Sequence, residues 1–500
     1  MTLNGLSNID SGSNGSVNAS VSLDSVQEFK ILTGVYQAEY GRSMGAQISV
    51  VTRSGSSQLH GSGYWFHRHD GLNANSWINN RLPIGSGGNP RSLFRFNDAG
   101  YTFGGPVYIP KVLKSKEKLF FFWSEEFQRQ LRPNSARNQT VPTALERTGD
   151  FSQSVDNNGN PFTIKDPANN GVPFTGNLIP QNRLYAPGQK LLSFFPKPNV
   201  ANSCALAPGT SGCIKGYDFT SQISDQYPRR EDLVRVDYNM TNKARVYGHY
   251  LDNSNTYTSY YGGWLAGSNV PITPMTWANP GYAWGVGSTY VFGPTMTNEF
   301  NMGASHNSYL IDSATDGFTR ATSGISLPVL YPSAVQKDWL PYVTFGGTRL
   351  GNSVAINGSG GNSGAAPFIN YNTMIDITDS VSKVWNRHTI KAGVYVQRSR
   401  KNQTSFGAFD GSYNFGDNAA NPYDTGYGFA NAALGGLQLL LAGGQLHQRP
   451  VPLHEPGILC AGHLEGDQSP DARLRPAARL VSAAVRCVDA GGDLRSQLVE

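Results

Sequence analysis

Long apolar runs are missing from this chain, and no stretch approaches the roughly 18 apolar residues that a membrane-crossing helix needs. A helical membrane protein is excluded on length. The opening MTLNGLSNIDSGSNGSVNAS has neither a basic start nor an apolar core, so it is not a signal peptide. Either the protein is cytosolic or its true N-terminus lies further upstream. Charged residues make up only 15% of the chain, and the net charge of +5 is spread without a Lys/Arg cluster, which speaks against a nucleic-acid partner. Only four residues are cysteine, with no C-x-x-C pair, so no zinc framework is expected. No P-loop and no nucleophile elbow are present. The chain reads as a non-enzyme with no cofactor.

What is present is glycine (57), tyrosine (24) and phenylalanine (24), with an overall hydrophobic content of 39%. This balance lacks the Leu, Ala, Glu and Lys of a helical protein and is too aromatic for disorder. The expectation is an all-β chain. Residues 1–56 read as a small mixed α/β piece. There, Ser25-x-x-Glu28 has the form of a capping box heading a short helix, SVQEF, and AQISVVTRSG is strand-like, with Ile48 and Val50 on one face and Val51 on the other.

Beyond residue 57 the pattern has period 2. Strands are expected near 58–68, 98–109, 117–130, 229–240, 243–255, 279–291, 296–309, 371–385, 388–402 and 408–416. In KARVYGHY, Ala244, Val246, Gly248 and Tyr250 oppose Arg245, Tyr247 and His249. In LVRVDYN, Val234, Val236 and Tyr238 oppose Arg235, Asp237 and Asn239. In HTIKAGVYVQR, Ile390, Ala392, Val394 and Val396 oppose Lys391, Gly393, Tyr395 and Gln397. Short links (MTNK, FGPT, WNRH) alternate with long ones near 69–97, 131–228, 256–278 and 310–370. An outer-membrane barrel has this asymmetry, with tight periplasmic turns and long extracellular loops. Aromatics near strand ends, Tyr64 and Trp65, Tyr282 and Trp284, Trp385 and Tyr395, fit interfacial girdles. Core packing in a soluble sandwich is the alternative that period 2 alone leaves open.

Several motifs then carry a family likeness. EFKILTGVYQAEYGRSMGAQISVVTRSGSSQLHGSGYW followed by LNANSW resembles the end of the plug and the first barrel strand of TonB-dependent outer-membrane receptors, in particular the Oar-like group. FNDAGYTFGGPVYIPK and KEKLFFFWSEEFQRQ resemble that group's second and third strands, and VPTALERTGDFS and GYGFANAALG are also similar. The likeness covers about residues 1 to 435. It implies an antiparallel transmembrane β-barrel, partial here with about ten of 22 strands, behind the remnant of a plug at 1–56. The barrel portion is 57–435. It further implies a cell outer membrane location in a Gram-negative-type bacterium, given an upstream signal peptide, with outer-membrane lipid and an unknown extracellular ligand as partners. In the full-length family the TonB complex pulls on the plug, through a region this chain does not contain. The chain as written is therefore expected to be a fragment that is not competent for transport.

The final segment differs in composition. All Tyr, Phe and Trp residues lie at or before Phe429, the last Lys is Lys401 and the last Asn is Asn431. If positions were independent, such an aromatic-free stretch would arise by chance in roughly one case in ten thousand. Residues 436–500 are expected to be an out-of-frame or disordered tail, with a linker or short basic helix as the alternative.

Other constellations are weaker. His67 and His69 share a strand face with His60 nearby, but no third ligand has suitable spacing. FDGSYNFGDN at 409–418 does not follow the order of a calcium loop. Two loop stretches, NTYTSYYGGWLAGSN and WINNRLPIGSGGNPRS, mix aromatics with amides and Arg, a combination that stacks on sugars. The functional expectation is nutrient uptake, with an oligosaccharide as one ligand class; the alternative is a structural or adhesion protein anchored by its barrel. Cys204 and Cys213, in SCALAPGTSGC, are spaced for a small disulfide-closed loop in an oxidising compartment, with free thiols as the alternative. If they pair, thiol labelling of purified protein should rise after reduction; equal labelling with and without reductant would exclude the bridge.

Overall fold

Alternating apolar and polar side chains decide the architecture, because each face of a strand meets a different environment. The computed structural model describes the chain except residues 11–15, 35–44, 82, 84–88, 109–114, 157–159, 201–216, 263–267, 273, 315–318, 328–331, 333–337, 347–353, 357–366, 405–410, 438, 442–447, 452–458, 466–484 and 487–500. The first strands are β1 (Thr2–Leu3), β2 (Leu6–Ser7), β3 (Val26–Leu32) and β4 (Gln47–Thr52), which form a small sheet in the order β2-β1-β4-β3. Asn4 and Gly5 close the β1–β2 hairpin with positive φ at both positions, the backbone that an Asn-Gly turn supplies. Val50 is buried with Ile48 packed beside it, as their shared face predicts.

The helix expected at SVQEF does not form. Leu23–Ser25 make a single 3-10 turn, and Val26–Leu32 extend as β3. The reason is tertiary. Backbone groups of β3 pair with β4 from Val26 opposite Thr52 to Leu32 opposite Gln47, and the Ser25 hydroxyl bonds to Ser22.

A second, much larger sheet follows. Its strands are β5 (His60–His69), β6 (Arg95–Pro106), β7 (Leu119–Pro133), β10 (Ser224–Asn239), β11 (Ala244–Ser259), β12 (Met275–Ala278), β13 (Gly281–Gly293), β14 (Met296–Ser313), β17 (Phe368–Trp385) and β18 (His388–Thr404). Two short strands, β8 (Arg137–Gln139) and β9 (Phe219–Ser221), pair apart from it, as do β15 (Tyr342–Phe345) and β16 (Val354–Ile356). Every pairing in the large sheet is antiparallel, and its long strands are neighbours in chain order. Beyond β18 lie β19 (Ser412–Asn414), β20 (Leu439–Leu441), β21 (Gln448–Val451), β22 (Leu459–Glu465) and β23 (Val485–Arg486). Of these, β21 and β22 pair with β18. The segment expected as a barrel strand at 408–416 goes elsewhere: its described part, β19, pairs with β15 and β20 beyond the end of the wall.

The large sheet is inside-out relative to a soluble sandwich. Val234, Val236, Tyr250, Tyr282, Val286, Ile377, Val394 and Val396 are exposed on one face, while Leu233, His249, Leu251, Ala283, Asp376 and Gln397 are buried on the other. In water so broad an apolar belt would be a liability; in hydrocarbon it is solvated, and the paired backbone needs no water. The girdle expectation holds in part. Trp65 and Trp385 are 68% and 65% exposed, and Tyr282 lies on the same outer face. Tyr64 and Tyr395, however, turn inward, donating to Glu126 (2.6 Å) and Asp376 (3.1 Å), because adjacent residues of a strand point to opposite faces.

The long connections do not hang free. Val141, Phe151, Phe162, Phe195, Val270, Leu340, Phe345, Phe415, Tyr427 and Phe429 come from four of them and share one apolar core at the long-loop end. Among the described residues the α-helices are α1 (Trp77–Asn80), α2 (Ala186–Ser193), α3 (Arg320–Ser323) and α4 (Gly428–Leu434). α2 and α4 touch so closely that a Cβ on Gly188 would collide with the Ala432 carbonyl. Thr143 and Glu146 form a reciprocal capping box. Thr143 N donates to Oε2 (2.8 Å) and Glu146 N to Thr143 Oγ1 (3.2 Å), while Oε1 accepts from Ser154 (2.6 Å) and from the Tyr427 hydroxyl (3.0 Å). This carboxyl ties the VPTALERTGDFS segment to GYGFANAALG. Burial raises its pKa against those bonds.

Asp218, in the same cap, is pushed up to about 7 by burial, opposed by the Val141 N–H it accepts and aided by the Glu146 charge. An unfolded chain ionises this group near pH 4, so between about pH 4 and 7 the unfolded state releases a proton that the folded cap retains. Cap stability therefore falls as pH rises through that window, by roughly 4 kcal/mol at the full shift. Amide protection in α2 and α4, measured against the intrinsic exchange rate at each pH, should fall from pH 5 to pH 8, and Asp218→Asn, which keeps the acceptor for Val141, should flatten that dependence. An unchanged pH profile in the variant would refute this assignment.

Candidate functional site

The inner face of the wall is polar, and the small N-terminal sheet sits against it. Arg235 on β10 grips Asp237 through two bonds (Nε–Oδ2 3.0 Å, Nη2–Oδ1 2.8 Å) and lies over the Tyr247 ring, 4.6 Å from its centroid. Its remaining nitrogen donates to the Thr52 carbonyl (2.9 Å) and hydroxyl (3.1 Å) at the end of β4. Thr52 in turn receives the Asn4 amide (3.0 Å) and donates its own N–H to Asn4 Oδ1 (2.9 Å). Tyr247 donates to the Asn4 carbonyl (3.1 Å) and to Asn301 (2.7 Å). The Asn-Gly hairpin tip, β4 and two wall strands thus meet in one network. Nearly every acceptor in it has a charged or phenolic donor, which is how a buried ion pair is tolerated.

A second set of contacts lies across the lumen. Ser7 N donates to Asp376 Oδ2 (2.6 Å), and Asp376 also accepts from Gln397 (2.7 Å). Ser305 donates to the Ser7 carbonyl (2.8 Å) and accepts from Asn18 (2.8 Å), and Lys401 pairs with Asp10 (3.3 Å). Glycines make room for the N-terminal segment: a Cβ at Gly285 or Gly303 would strike Leu6, and one at Gly281 would strike the Asn18 carbonyl.

Strand register arranges the lumen in rows. At one level Tyr64, Gly100, Glu126 and Glu231 follow one another across β5, β6, β7 and β10. The same row continues through Asn253, Gly281, Asn307, Asn372 and Lys401 on β11 to β18. One arc is acidic and the other is built of amides. Towards the long-loop end, Tyr257 stacks between Tyr227 (centroids 4.6 Å apart) and Trp277 (5.2 Å), and Arg132 covers Tyr227 at 5.7 Å. Trp277 is buried with Met275, Ile311 and Phe368 behind this stack.

Of the residues singled out in the sequence, Cys204 and Cys213 lie outside the described residues. His67 and His69 do share a face, with rings 6.0 Å apart, but His67 bonds to Asn97 (2.8 Å) and His69 accepts from Gly71 N (2.8 Å). Among the described residues no His, Cys, Asp and Glu group has metal-binding geometry. In the 409–418 stretch, Asn414 caps Gly416 N (2.7 Å) and Asn418 N donates to Asp424 (3.1 Å), which are turn roles. The NTYTSYYGGWLAGSN stretch contributes Tyr257 to the stack, whereas Trp77 of WINNRLPIGSGGNPRS begins α1 and is exposed. Sequence reasoning missed the Arg235 network and the Glu146 tie. The Asn4-Gly5 pair between Leu3 and Leu6, and the T-x-x-E spacing at 143–146, were the available signals.

Comparison with known proteins gives a consistent picture. The family described as "Outer membrane beta barrel domain" matches residues 51–452. The chain is 39% identical over 108 residues to the TonB-dependent transporter Oar of Myxococcus xanthus, an alignment spanning 21% of this chain and 9% of that protein. Among solved structures, the outer membrane transporter YddB from Escherichia coli aligns at 9% identity with a TM-score of 0.47, covering 93% of this chain and 46% of that one. A mutant of the ferric enterobactin receptor from Pseudomonas aeruginosa aligns at 9% identity with a TM-score of 0.28, covering 82% and 52%. The chain thus spans about half the length of those two structures. The family match over most of the sequence, on a wall that is apolar outside and polar within, makes this chain a member of the outer membrane beta barrel domain family and a protein of the outer membrane.

Proposed function

We propose that this chain is a portion of a protein that carries out TonB-dependent uptake of a nutrient across the outer membrane, with an oligosaccharide or similar polyhydroxyl solute as ligand, and that the chain by itself does not transport. The observation that carries the reading is the plug sheet seated inside the wall and held by Arg235 and Asp376. A barrel used only as an anchor has no need of a removable stopper. The stacked Tyr227, Tyr257 and Trp277 support the ligand class, since ring edges and phenolic hydroxyls suit sugars. In this reading the TonB complex is the energising partner in the full-length protein, outer-membrane lipid surrounds the belt, and Cys204 and Cys213 close a surface loop. The apolar core shared by the long loops favours a second reading, a surface adhesin, because it gives the extracellular face a shape of its own.

Deleting the TonB complex in the native host should abolish uptake of the solute while leaving the protein at the cell surface. Unchanged uptake would refute the transport reading, and unchanged surface adhesion without any uptake in the parent strain would favour the adhesin. Calorimetry with neutral oligosaccharides should show binding that Tyr257→Ala weakens by about tenfold, or ~1.4 kcal/mol.

We also propose that residues after about 435 are read out of frame, on the strength of the abrupt loss of aromatics, Lys and Asn. Translation of the other frames of the downstream DNA should restore Tyr- and Asn-rich alternating strands. Their absence from every frame would refute this.

A further inference from the structure

On the lipid-facing side of the wall, register carries one polar row just beyond the apolar belt, towards the long loops. Tyr101, Glu125, Asp232 and Asp252 supply it on β6, β7, β10 and β11. Tyr282, His306, Thr373 and Arg400 continue it on β13, β14, β17 and β18. Parity fixes the outward direction, because the sequence neighbours Glu126 and Lys401 bond to Tyr64 and Asp10 in the lumen.

The two arcs of this row differ in charge. The first is closed on itself: Arg230 reaches Glu125 Oε1 through Nη2 (2.7 Å) and Asp232 Oδ2 through Nε (2.9 Å), and Tyr101 donates to Glu125. Three carboxylates around one guanidinium repel an anion. In the second arc Arg398 and Arg400 are exposed, and among the described residues neither guanidinium has an ion-pair or hydrogen-bond partner. Arg398 lies one row deeper, where Val234, Tyr250, Trp284, Ala304 and Ile375 lead up to it across five strands. A permanent charge thus closes a row that is otherwise apolar or aromatic. Arginine does not shed its proton, so from this depth the side chain extends to the edge of the belt, where the lipid headgroups lie.

We propose that the outer face of β14, β17 and β18 at the long-loop end binds the phosphate of an outer-leaflet lipid, with Arg398 and Arg400 as its ligands. The two residues follow each other on one strand face about 7 Å apart, so both forks reach a single phosphate. Tyr282 and Tyr371, 36% and 40% exposed, flank the position and stack on His306 with centroids 5.0 and 6.3 Å away. Both His306 nitrogens are hydrogen-bonded, to Thr373 (2.8 Å) and Ser308 (3.0 Å), which leaves the two arginines to carry the charge. Continuity with the belt selects a lipid over a dissolved anion. Val394 and Val396 lie directly below on the same face of β18, so acyl chains on the valines and a phosphate on the arginines belong to one molecule. The site requires only the outer-membrane location and holds whether or not the protein transports.

Native mass spectrometry of the full-length protein in detergent tests this with bisphosphorylated lipid A and its dephosphorylated form as probes. The parent protein should prefer the phosphorylated lipid by roughly tenfold or more, and Arg398→Gln with Arg400→Gln should remove that preference. Equal retention of the two lipids by the parent, a comparison that needs no variant to fold, would overturn the proposal, as would a preference that survives the double substitution. Inorganic phosphate binding as tightly as the lipid would make this a free-anion site and overturn the lipid assignment.

Discussion

Every backbone N–H and C=O placed in hydrocarbon must find a partner within the protein, and the rest of this structure follows from that requirement. Antiparallel neighbours joined by short turns satisfy it at the least cost in chain. The β17–β18 link is the clearest case: Trp385 faces His388 across Asn386 and Arg387, and Asn386 takes the positive φ that such a turn demands. Once the strands are paired, lipid takes one face and the lumen the other. Val394 and Val396 then have to alternate with Tyr395 and Gln397, and a polar lumen is a consequence of the sheet as much as of any ligand. Strands of 16 to 18 residues, such as Ser224–Asn239 and Phe368–Trp385, exceed the roughly 9–11 needed to cross the bilayer.

The lumen and the cap solve opposite packing problems. Inside the wall the N-terminal sheet shares a small apolar core, Leu3, Ala19 and Val50 with Phe122, Leu233, Leu251 and Ala283, and directed bonds around it fix the seating: Asn4 to Thr52, Arg235 to Thr52, Ser7 to Asp376. Such contacts define one seating and resist sliding, but they add little net adhesion, because water offers comparable bonds once the surfaces part. The cap instead buries apolar side chains from four connections, and its central carboxyl, Glu146, is fully supplied with donors. An apolar core loses much more when opened. The molecule therefore joins an N-terminal sheet seated largely by directed bonds to a cap held by apolar burial.

Much of this was legible in the sequence, and the failures are informative. The opposing faces of KARVYGHY, LVRVDYN and HTIKAGVYVQR came out as expected because period 2 is imposed by the strand itself. Two capping-box patterns had different fates. Ser25-x-x-Glu28 became a strand because β4 offered its backbone a long run of partners, whereas Thr143-x-x-Glu146 formed the box in full, with no strand competing for those groups. Local signals hold where tertiary pairing is silent. Tyr64 and Tyr395 were assigned to the girdle by their nearness to strand ends, yet parity outranks position, and both face the lumen. The segment at 408–416 has strand character, but it serves the cap because the hairpin partner that would keep β19 in the wall is replaced by β15.

The Arg235 network could not have been read from the sequence, since its members come from positions 4, 52, 235, 237 and 247 and meet only when plug and wall are both folded. Its chemistry nonetheless explains why a charged pair stands where an apolar one would pack more simply. An apolar contact at the end of β4 would hold the plug in many registers. A guanidinium that must satisfy Asp237, the Thr52 carbonyl and the Thr52 hydroxyl together accepts only one, and in that one register Asn4 reaches Thr52 and Ser7 reaches Asp376. Specific seating and weak adhesion are then compatible. The charge network fixes the one place where the N-terminal sheet seats against the wall.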